Sequence, residues 1–325
     1  MKFDAYYSKK RFNYIDKRLS KLENFNYCGD EKIKKTACLY GENINVYIDT
    51  SDGVNDDLAI QEYCGRMLNV IKDSKGKPFL FFKSAFSNKF SNNIVEMARE
   101  NKGKVHPFFK WSFNNDFYTH VLSNRDKFIS RMQKKTKKYD IGIFCGLKPY
   151  KYPKASSANS FISWSDHEKF NIPGSSENTG FYTNQSRKIL CEKLQSSNFK
   201  VLHLEKVSYL DYLEASFECR AVFNPPGMGE YTSRMVDQSF LGGCVFLRKN
   251  SYDNGHTWKN HIPEIDFKSE DWEVDLKNVV DNYKFHGMKC KEYFDNFWTS
   301  EAVADYLVKN IRKDYFFHYQ DNYTK

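Results

Sequence analysis

The residue types best suited to chemistry lie in one stretch, residues 221–250, which reads AVFNPPGMGEYTSRMVDQSFLGGCVFLRKN. An apolar, strand-like run leads into the loop PPGMG, and a helix is predicted to begin near Thr232. Gly227 and Gly229 let the backbone approach a ligand closely, and the first turn of a helix offers free N–H groups to an anion. The stretch therefore predicts a phosphate-binding turn at the end of a buried strand.

Two charged residues, Arg234 and Asp237, stand three apart in the predicted helix and so share one of its faces. Because this face begins at the anion-attracting end, Arg234 is predicted to pair with a diphosphate, and Asp237 to accept hydrogen bonds from ribose hydroxyls. A surface ion pair between the two residues fits the same spacing equally well, and composition does not decide between these interpretations.

A transfer reaction also needs a general base, and the candidates fall in the first half of the chain. Asp52 follows the predicted strand 44–50 and precedes a glycine in a turn, which would expose its carboxylate. An Asx-turn without any catalytic role is the alternative for this residue. His106 is the second candidate, because the ordinary pKa of an imidazole suits base catalysis, and Asp49 and His120 are further alternatives.

The acidic residues between positions 49 and 57 do not form a metal-binding motif. Their spacing matches neither a calcium-binding loop closed by Glu nor a D-x-D pair. We therefore expect no metal site.

Composition limits the class of protein. A chain of 325 residues exceeds one ordinary core, so two domains are expected. Aromatic residues make up 17% of the chain and the net charge is +9, which favours stacking on flat ligands or sugars and binding of anionic partners. A basic nucleic-acid-binding protein fits both values and is an alternative, although no RNA-recognition, OB or helix-turn-helix signature is present.

The sequence does not have the features of a membrane or secreted protein. It contains no run of eighteen apolar residues, its N-terminus lacks an apolar signal region, and no two of its cysteines form a C-x-x-C pair. We therefore expect a soluble cytoplasmic protein with reduced cysteines.

Apolar runs predict strands that alternate with helices, as in the βαβ units of a parallel sheet covered on both faces. Predicted strands lie at 44–50, 77–84, 104–110, 139–145, 199–204, 220–224 and 244–248. Predicted helices lie at 55–72, 91–101, 116–133, 186–194, 209–216, 232–241, 271–283 and 299–315, and residues 148–184 are expected to form an ordered loop. The chain thus divides into two α/β domains, 1–135 and 136–290, and a C-terminal helical segment, 291–325.

The stretch at 221–250 resembles the donor half of the exostosin-like glycosyltransferases, which have the GT-B fold. In that family a strand is followed by a P-x-G loop, by S-P-R-x-x-E-A and by G-C-x-P-V. The corresponding letters here are Pro226-x-x-Gly229, TSRMVDQ at 232–238 and GCV at 243–245. Asp237 replaces the family's Glu, Gln238 replaces its Ala, and the proline before the last Val is missing. The resemblance extends from residue 139 to residue 267.

This resemblance implies an α/β protein of the GT-B fold, in which two Rossmann-like domains face each other across a cleft and a C-terminal helix crosses back to the first. Residues 1–135 would bind the acceptor, residues 136–290 the nucleotide-sugar donor, and residues 291–325 would pack on the first domain. The implied activity is a metal-independent hexosyl- or pentosyltransferase without a cofactor. It would move a sugar from a UDP-sugar, such as UDP-xylose, to a carbohydrate acceptor on a glycoprotein.

The resemblance also implies which residues bind the donor. Gly146 and Lys148 would contact the phosphates, the main chain of Val207 and Ser208 would hold the base, and Tyr231 would stack on the base or the sugar. The full set of implied donor-binding residues is Gly146, Lys148, Val207, Ser208, Pro226, Gly227, Gly229, Glu230, Tyr231, Thr232, Ser233, Arg234 and Asp237.

The departures from the motif indicate a divergent soluble member, of the kind that large algal viruses carry into the host cytoplasm. Neither nucleic acid nor stable membrane insertion is expected for such a protein. A lectin-like module that keeps the fold without catalysis is a third interpretation. The sequence leaves open the sugar, the acceptor and linkage, inversion or retention at the anomeric centre, and the oligomeric state.

Overall fold

A computed structural model describes residues 2–9, 12, 25–33, 36–50, 57–84, 88–108, 123–146, 179–225, 233–249 and 260–323. These residues form two β-sheets with helices packed on them, which confirms the α/β class. One sheet is mixed and the other is parallel.

The first sheet has the strand order β2-β1-β3-β4-β5-β6 in the described part of the chain. Its strands are β1 (Phe3–Tyr6), β2 (Phe25–Gly29), β3 (Thr36–Gly41), β4 (Asn45–Asp49), β5 (Phe79–Ser84) and β6 (Gly103–Phe108). Strands β4, β5 and β6 run parallel, whereas β3 is antiparallel to both of its neighbours. The parallel part agrees with the predicted βαβ spacing.

The first three strands were not predicted, and the antiparallel β3 makes this sheet mixed. Strands β3 and β4 are joined by a tight turn in which the Gly41 N–H donates to the Ile44 carbonyl at 3.1 Å. So short a connection can link only antiparallel strands. A Cβ added at Gly41 would lie 2.4 Å from the Ile44 oxygen and 2.8 Å from the Phe3 ring, so the turn requires glycine for close packing.

Side chains alternate between the two faces of this sheet, as the pleat requires. One face carries Phe79 and Phe81, which belong to a core cluster with residues of helices α1 (Asp57–Ser74) and α2 (Asn88–Glu100). The opposite face carries Leu80 and Phe82, which belong to the core cluster that includes the last helix of the chain.

The second sheet is parallel throughout and has the order β11-β10-β9-β7-β8. Its strands are β7 (Tyr139–Ile143), β8 (Val201–His203), β9 (Cys219–Phe223), β10 (Cys244–Arg248) and β11 (Glu264–Ile265). The helices around it are α3 (Arg125–Lys134), α4 (Thr179–Gln195), α5 (Tyr209–Ser216), α6 (Ser233–Leu241), α7 (Trp272–Asp281) and α8 (Tyr283–Tyr293). A π-helical turn (Phe294–Trp298) and α9 (Ser300–Tyr323) follow.

Helices cover both faces of this sheet, as the fully buried strand β10 predicts. Helices α4 and α7 contribute Leu190, Leu194, Leu276 and Val279 to one core cluster, and α5, α6 and α8 contribute to the other. Helix α4 begins at Thr179, within the expected loop 148–184, and neither helix α8 nor strand β11 was predicted. Residues 147–178 lie outside the described part of the chain.

Helix α9 connects the two halves by contacts with β6. Lys104 Nζ lies 2.6 Å from Asp314 Oδ1, and His106 Nε2 lies 2.7 Å from Asp314 Oδ2. The Tyr306 hydroxyl donates to the Pro107 carbonyl at 2.8 Å. The last helix therefore packs on the first sheet, while the exact domain boundaries stay predictions.

Candidate ligand site at the carboxyl ends of β7 and β9

The second sheet has one topological switch point, between β7 and β9. From β7 the chain moves outward to β8, then crosses back to β9 and continues to β10 and β11, so in chain order the strands lie as 2-1-3-4-5. In open parallel sheets a ligand binds in the crevice outside the carboxyl ends of the two strands at such a point. Topology therefore places a candidate site beyond Ile143 and Phe223.

One side of this crevice is the segment that follows β7, where Gly146 is exposed. A Cβ added at Gly146 would meet nothing within 4 Å, so space is open there. The preceding residue, Cys145, is held by its carbonyl, which accepts from His203 Nε2 at 3.0 Å. The other ring nitrogen, His203 Nδ1, lies 3.1 Å from the side-chain amide nitrogen of Gln195.

Two guanidinium groups, those of Arg234 and Arg187, lie near the Cys145 thiol at this end of β7. A hydrogen bond from the Cys191 thiol is the main cause that lowers the pKa of Cys145 to about 6, against the opposing effect of burial. The Arg234 and Arg187 guanidinium groups lower it further. The Cys191 thiol donates that hydrogen bond, so its own pKa is raised. The positive charges of Arg234 and Arg187 favour an anion at this end of β7.

Arg234 is the second residue of α6, whose first turn faces the same end of the sheet. Its Nε is buried and has no hydrogen-bond partner in the part of the chain that the structure describes. A buried donor left unpaired costs about 1–3 kcal/mol, and the cost is greater for a charged group. An anion bound at the start of α6 would supply the missing acceptor, as the sequence predicts for Arg234.

Asp237 lies one turn further along α6 and is only 2% exposed. This burial excludes the interpretation of Arg234 and Asp237 as a surface ion pair. Asp237 is close enough to Tyr212 that its charge, after burial, helps to raise the pKa of that phenol. The contact of Asp237 with a ribose stays a prediction.

The residues expected to hold the base lie before α5. Ser208 is the N-cap of this helix: its Oγ accepts from the Asp211 N–H at 3.2 Å and donates to Asp211 Oδ2 at 2.7 Å. The hydroxyl is therefore used in capping. Val207 is 36% exposed, and its predicted main-chain contact with a base stays a prediction.

Several predicted site residues fall outside the described residues. They are Asp52, His120, Lys148, Pro226, Gly227, Gly229, Glu230, Tyr231 and Thr232. Ser233 is described as the first residue of α6. The roles assigned to all of them stay predictions.

The structure gives His106 a structural partner rather than a place in the crevice. Its Nε2 contacts the Asp314 carboxylate of α9, and its ring stacks on Phe82 with centroids 5.0 Å apart. Its contacts are those of a residue that joins β6 to α9, and its proposed catalytic role is not tested.

A buried charged cluster at the carboxyl ends of β4 and β5 was missed by sequence reasoning. Asp49 and Lys83 are both 0% exposed, with Lys83 Nζ 3.5 Å from Asp49 Oδ2, and Arg66 lies 3.6 Å from the other carboxylate oxygen. Lys83 follows four apolar residues in β5, FLFFKS, and the sequence alone does not indicate that its side chain is buried. Fully buried lysines are rare unless paired, which marks this edge as a second place where function can reside.

No group of three or more His, Cys, Asp and Glu side chains is placed to hold a metal ion within the described ranges. Of the helices described, none has the length and apolar character needed to cross a membrane.

Comparison with known proteins gives little further help. No protein-family model matches this chain, and no curated protein matches its sequence. The crystal structure of MurG from Acinetobacter baumannii is similar at a TM-score of 0.33, with 9% identity over 81% of this chain and 84% of that one. A likeness of this size does not establish a shared fold. The resemblance to exostosin-like glycosyltransferases therefore stays an expectation from the motif alone.

Proposed function

We propose that this chain is a glycosyltransferase of the GT-B kind, with a nucleotide-sugar donor bound at the carboxyl ends of β7 and β9. The observation that carries the proposal is the buried Arg234 Nε, which has no hydrogen-bond partner among the described residues and lies at the first turn of α6, next to a topological switch point. A diphosphate oxygen would be an acceptor for this donor, and its negative charge would pair with the guanidinium group.

In the proposed reaction an acceptor hydroxyl oxygen bonds to the anomeric carbon of the sugar, and the bond from that carbon to the diphosphate breaks. The leaving nucleoside diphosphate gains negative charge as it departs. Arg234 and the free N–H groups of α6 stabilise that charge, and the open space at Gly146 admits the phosphates. These groups make a metal ion unnecessary in the proposed mechanism.

The proton of the acceptor hydroxyl needs a base if the transfer inverts the anomeric centre. Asp52 is the proposed base, because it follows β4 by three residues on the sequence. Asp49 itself is fully buried against Lys83, so its carboxylate is less suited to reach an acceptor. UDP is the proposed nucleotide and a carbohydrate the proposed acceptor, both from the motif resemblance.

The test is UDP binding measured by calorimetry on the wild-type protein, Arg234→Ala and a control, Arg312→Ala. Arg312 is an exposed arginine on α9, far along the chain from α6. We expect Arg234→Ala to weaken UDP binding by about 2 kcal/mol, the scale for losing a charge-assisted contact. Equal affinity in Arg234→Ala, with intact circular dichroism, would remove this site from the proposal.

A second measurement separates catalysis from binding. Release of UDP from a panel of UDP-sugars, with and without EDTA, reports hydrolysis or transfer and its need for metal. Asp52→Asn should lower the transfer rate by about 10²-fold while UDP binding is kept. Binding without any turnover would instead favour the lectin-like module, and binding of single-stranded oligonucleotides without UDP would favour the nucleic-acid-binding alternative.

A further inference from the structure

A second cavity opens at the opposite end of the parallel sheet, and we call it the basal pocket. It has a volume of about 480 Å³, which lies in the range of roughly 300–1,000 Å³ typical of small-molecule sites. Its floor is formed by Cys219 and Cys244, the first residues of β9 and β10, together with Gly243. Helices α3 and α8 and the last turn of α6 form its walls.

The wall of the basal pocket is apolar with basic residues set into it. Its apolar part includes Ile129, Met132, Leu241 and Met288. Its basic residues are Lys137, Arg220, Lys284 and Lys291, and none of the described residues that line it is acidic. An apolar wall that carries only cations suits a ligand with an apolar body and a negative charge.

Two of the four cations are neutralised by carboxylates outside the pocket. Arg220 lies 3.4 Å from Asp140, and Lys291 forms an ion pair with Asp295. The remaining two, Lys137 and Lys284, therefore carry the uncompensated charge.

Lys137 and Lys284 are near enough to repel each other. Burial lowers the pKa of Lys137, and the Lys284 charge adds to that effect. Lys137 Nζ donates one hydrogen bond to the Phe217 carbonyl at 2.6 Å, which leaves two of its three N–H donors. Lys284 is exposed and forms no hydrogen bond or ion pair with any residue in the described ranges. An anion between the two ammonium groups would relieve their repulsion.

A buried acceptor without a partner also lines the basal pocket. Gln238 is 0% exposed, and its Nε2 donates to the Tyr212 hydroxyl at 3.0 Å and to Ser216 Oγ at 2.9 Å. Both hydroxyls already donate to backbone carbonyls, so they fix this orientation of the amide. Gln238 Oε1 is left without a hydrogen-bond partner among the described residues, and a ligand O–H or N–H group would satisfy it.

We infer that the basal pocket binds a small amphiphilic monoanion, an organic carboxylate or sulfonate with an apolar body and one hydrogen-bond donor. The charge would lie between Lys137 and Lys284, the apolar body against Ile129 and Met132, and the donor against Gln238. The site is independent of the proposed nucleotide site, because the two lie at opposite ends of the same strands.

The probe for this site is anilinonaphthalene sulfonate, which has a sulfonate, aromatic rings and one N–H and which fluoresces when it leaves water. We expect one saturable site per chain, from which decanoate displaces the probe. Decyltrimethylammonium, with the same chain and the opposite charge, should not displace it, and neither should saturating UDP. Displacement by UDP would place the probe in the nucleotide crevice and overturn the assignment, and so would the lack of any saturable binding.

Variants locate the probe. Lys284→Met removes an exposed charge with little risk to folding and should weaken binding about fivefold, and Lys137→Met should weaken it about tenfold or more. Ile129→Trp fills the cavity and should abolish the site. Lys309→Met, at an exposed position on α9, is the matched control and should leave the affinity unchanged. Wild-type affinity in both Lys284→Met and Ile129→Trp, with intact circular dichroism, would overturn the inference.

Discussion

The His106 imidazole and the Asp314 carboxylate meet at 2.7 Å, Nε2 to Oδ2, although 208 positions separate them in the chain. Lys104 binds the other oxygen of the same carboxylate at 2.6 Å. One acidic residue of the last helix thus pairs with two basic residues of β6. Among the described strands, β6 is an edge strand of the first sheet. This contact ties the two halves of the molecule together.

The Asp314 contact predicts a loss of stability in acid. Burial alone would raise the pKa of Asp314, but the hydrogen bonds from His106 and Lys104 outweigh it, and the pKa is held below its ordinary value of 3.8. Because the folded pKa is lowered, the stabilisation is complete above the unfolded pKa and is lost as the pH falls through the folded pKa. Asp314→Asn should therefore lower the free energy of unfolding by about 2–3 kcal/mol at pH 7. The difference in this free energy between the wild type and the variant should shrink below pH 4.

Chemical denaturation of the wild type and Asp314→Asn across this pH range measures the effect. His106, Lys104 and Tyr306 face Asp314. Burial, and after it the charge of Asp314, raises the pKa of Tyr306 to about 12. Asp305→Asn, at an exposed position on the same helix, serves as the control. A difference between wild type and Asp314→Asn that is unchanged from pH 7 to pH 3 would show that the carboxylate charge is not the cause.

Gly287 predicts a packing effect in α8. A Cβ at this position would lie 2.5 Å from the Gly242 carbonyl oxygen and 3.2 Å from the Cys244 N, both rigid backbone atoms. Gly287→Ala should therefore destabilise the fold by about 1–3 kcal/mol. Gly65, in α1, has nothing within 4 Å of its added Cβ, so Gly65→Ala should stabilise by about 0.5–1 kcal/mol. Melting temperatures of the two variants should shift in opposite directions, and equal shifts would contradict this description of the α8 contact.

The lowered pKa of Cys145 predicts selective alkylation. The pKa of Cys219 and that of Cys290 are both raised to about 12, mainly by burial, so neither forms a reactive thiolate near neutral pH. In a Cys28→Ser background, which removes an exposed thiol, iodoacetamide at pH 7 should label Cys145 before either of them. Peptide mapping by mass spectrometry measures the order.

The same experiment reports on the crevice. Arg234→Ala should slow labelling of Cys145, because one of the positive charges that lower its pKa is lost. Labelling of Cys219 or Cys290 ahead of Cys145 would contradict the electrostatic description of this end of β7.

Because Asp49 and Lys83 form a buried pair, we expect their contributions to the free energy of unfolding to be strongly coupled. Asp49→Ala removes the carboxylate that lies next to the fully buried Lys83. It should lower the free energy of unfolding by about 3–5 kcal/mol. Adding Lys83→Met removes the buried ammonium group and should recover part of that loss. A double-mutant cycle from urea denaturation gives the coupling free energy, and a value near zero would mean that the two charges act separately.

Much of the second sheet can be predicted from the sequence. The predicted helix 209–216 and the predicted strand 244–248 have the observed bounds, because buried strands of a parallel sheet stand out as short apolar runs between polar turns. Arg234 could be placed in the first turn of a helix for the same reason. The first sheet is harder to predict from the sequence, because β3 pairs antiparallel with β1 and β4. The direction of a strand depends on contacts between distant residues, which local patterns do not encode.

The candidate site was only partly accessible to sequence reasoning. The resemblance at 221–250 indicated Arg234, but nothing local connects His203 or Arg187 with Cys145, since these residues meet only after β7, β8 and α4 have assembled. The basal pocket was not predicted either. Its cations come from separate elements, and the dense lysine run at 134–138 resembles a solvated helix end when it is viewed alone.

The packing of α9 on the first sheet also has a consequence for synthesis on the ribosome. Phe82, on β5, packs against Tyr306 with ring centroids 6.2 Å apart, so this face of the first sheet is covered by residues made about 200 positions after β6. At translation rates of roughly 5–20 residues per second, that face of the sheet stays uncovered for about 10–40 seconds until α9 has been synthesised. During that interval the nascent chain presents an apolar surface to water, which is the state that chaperones bind.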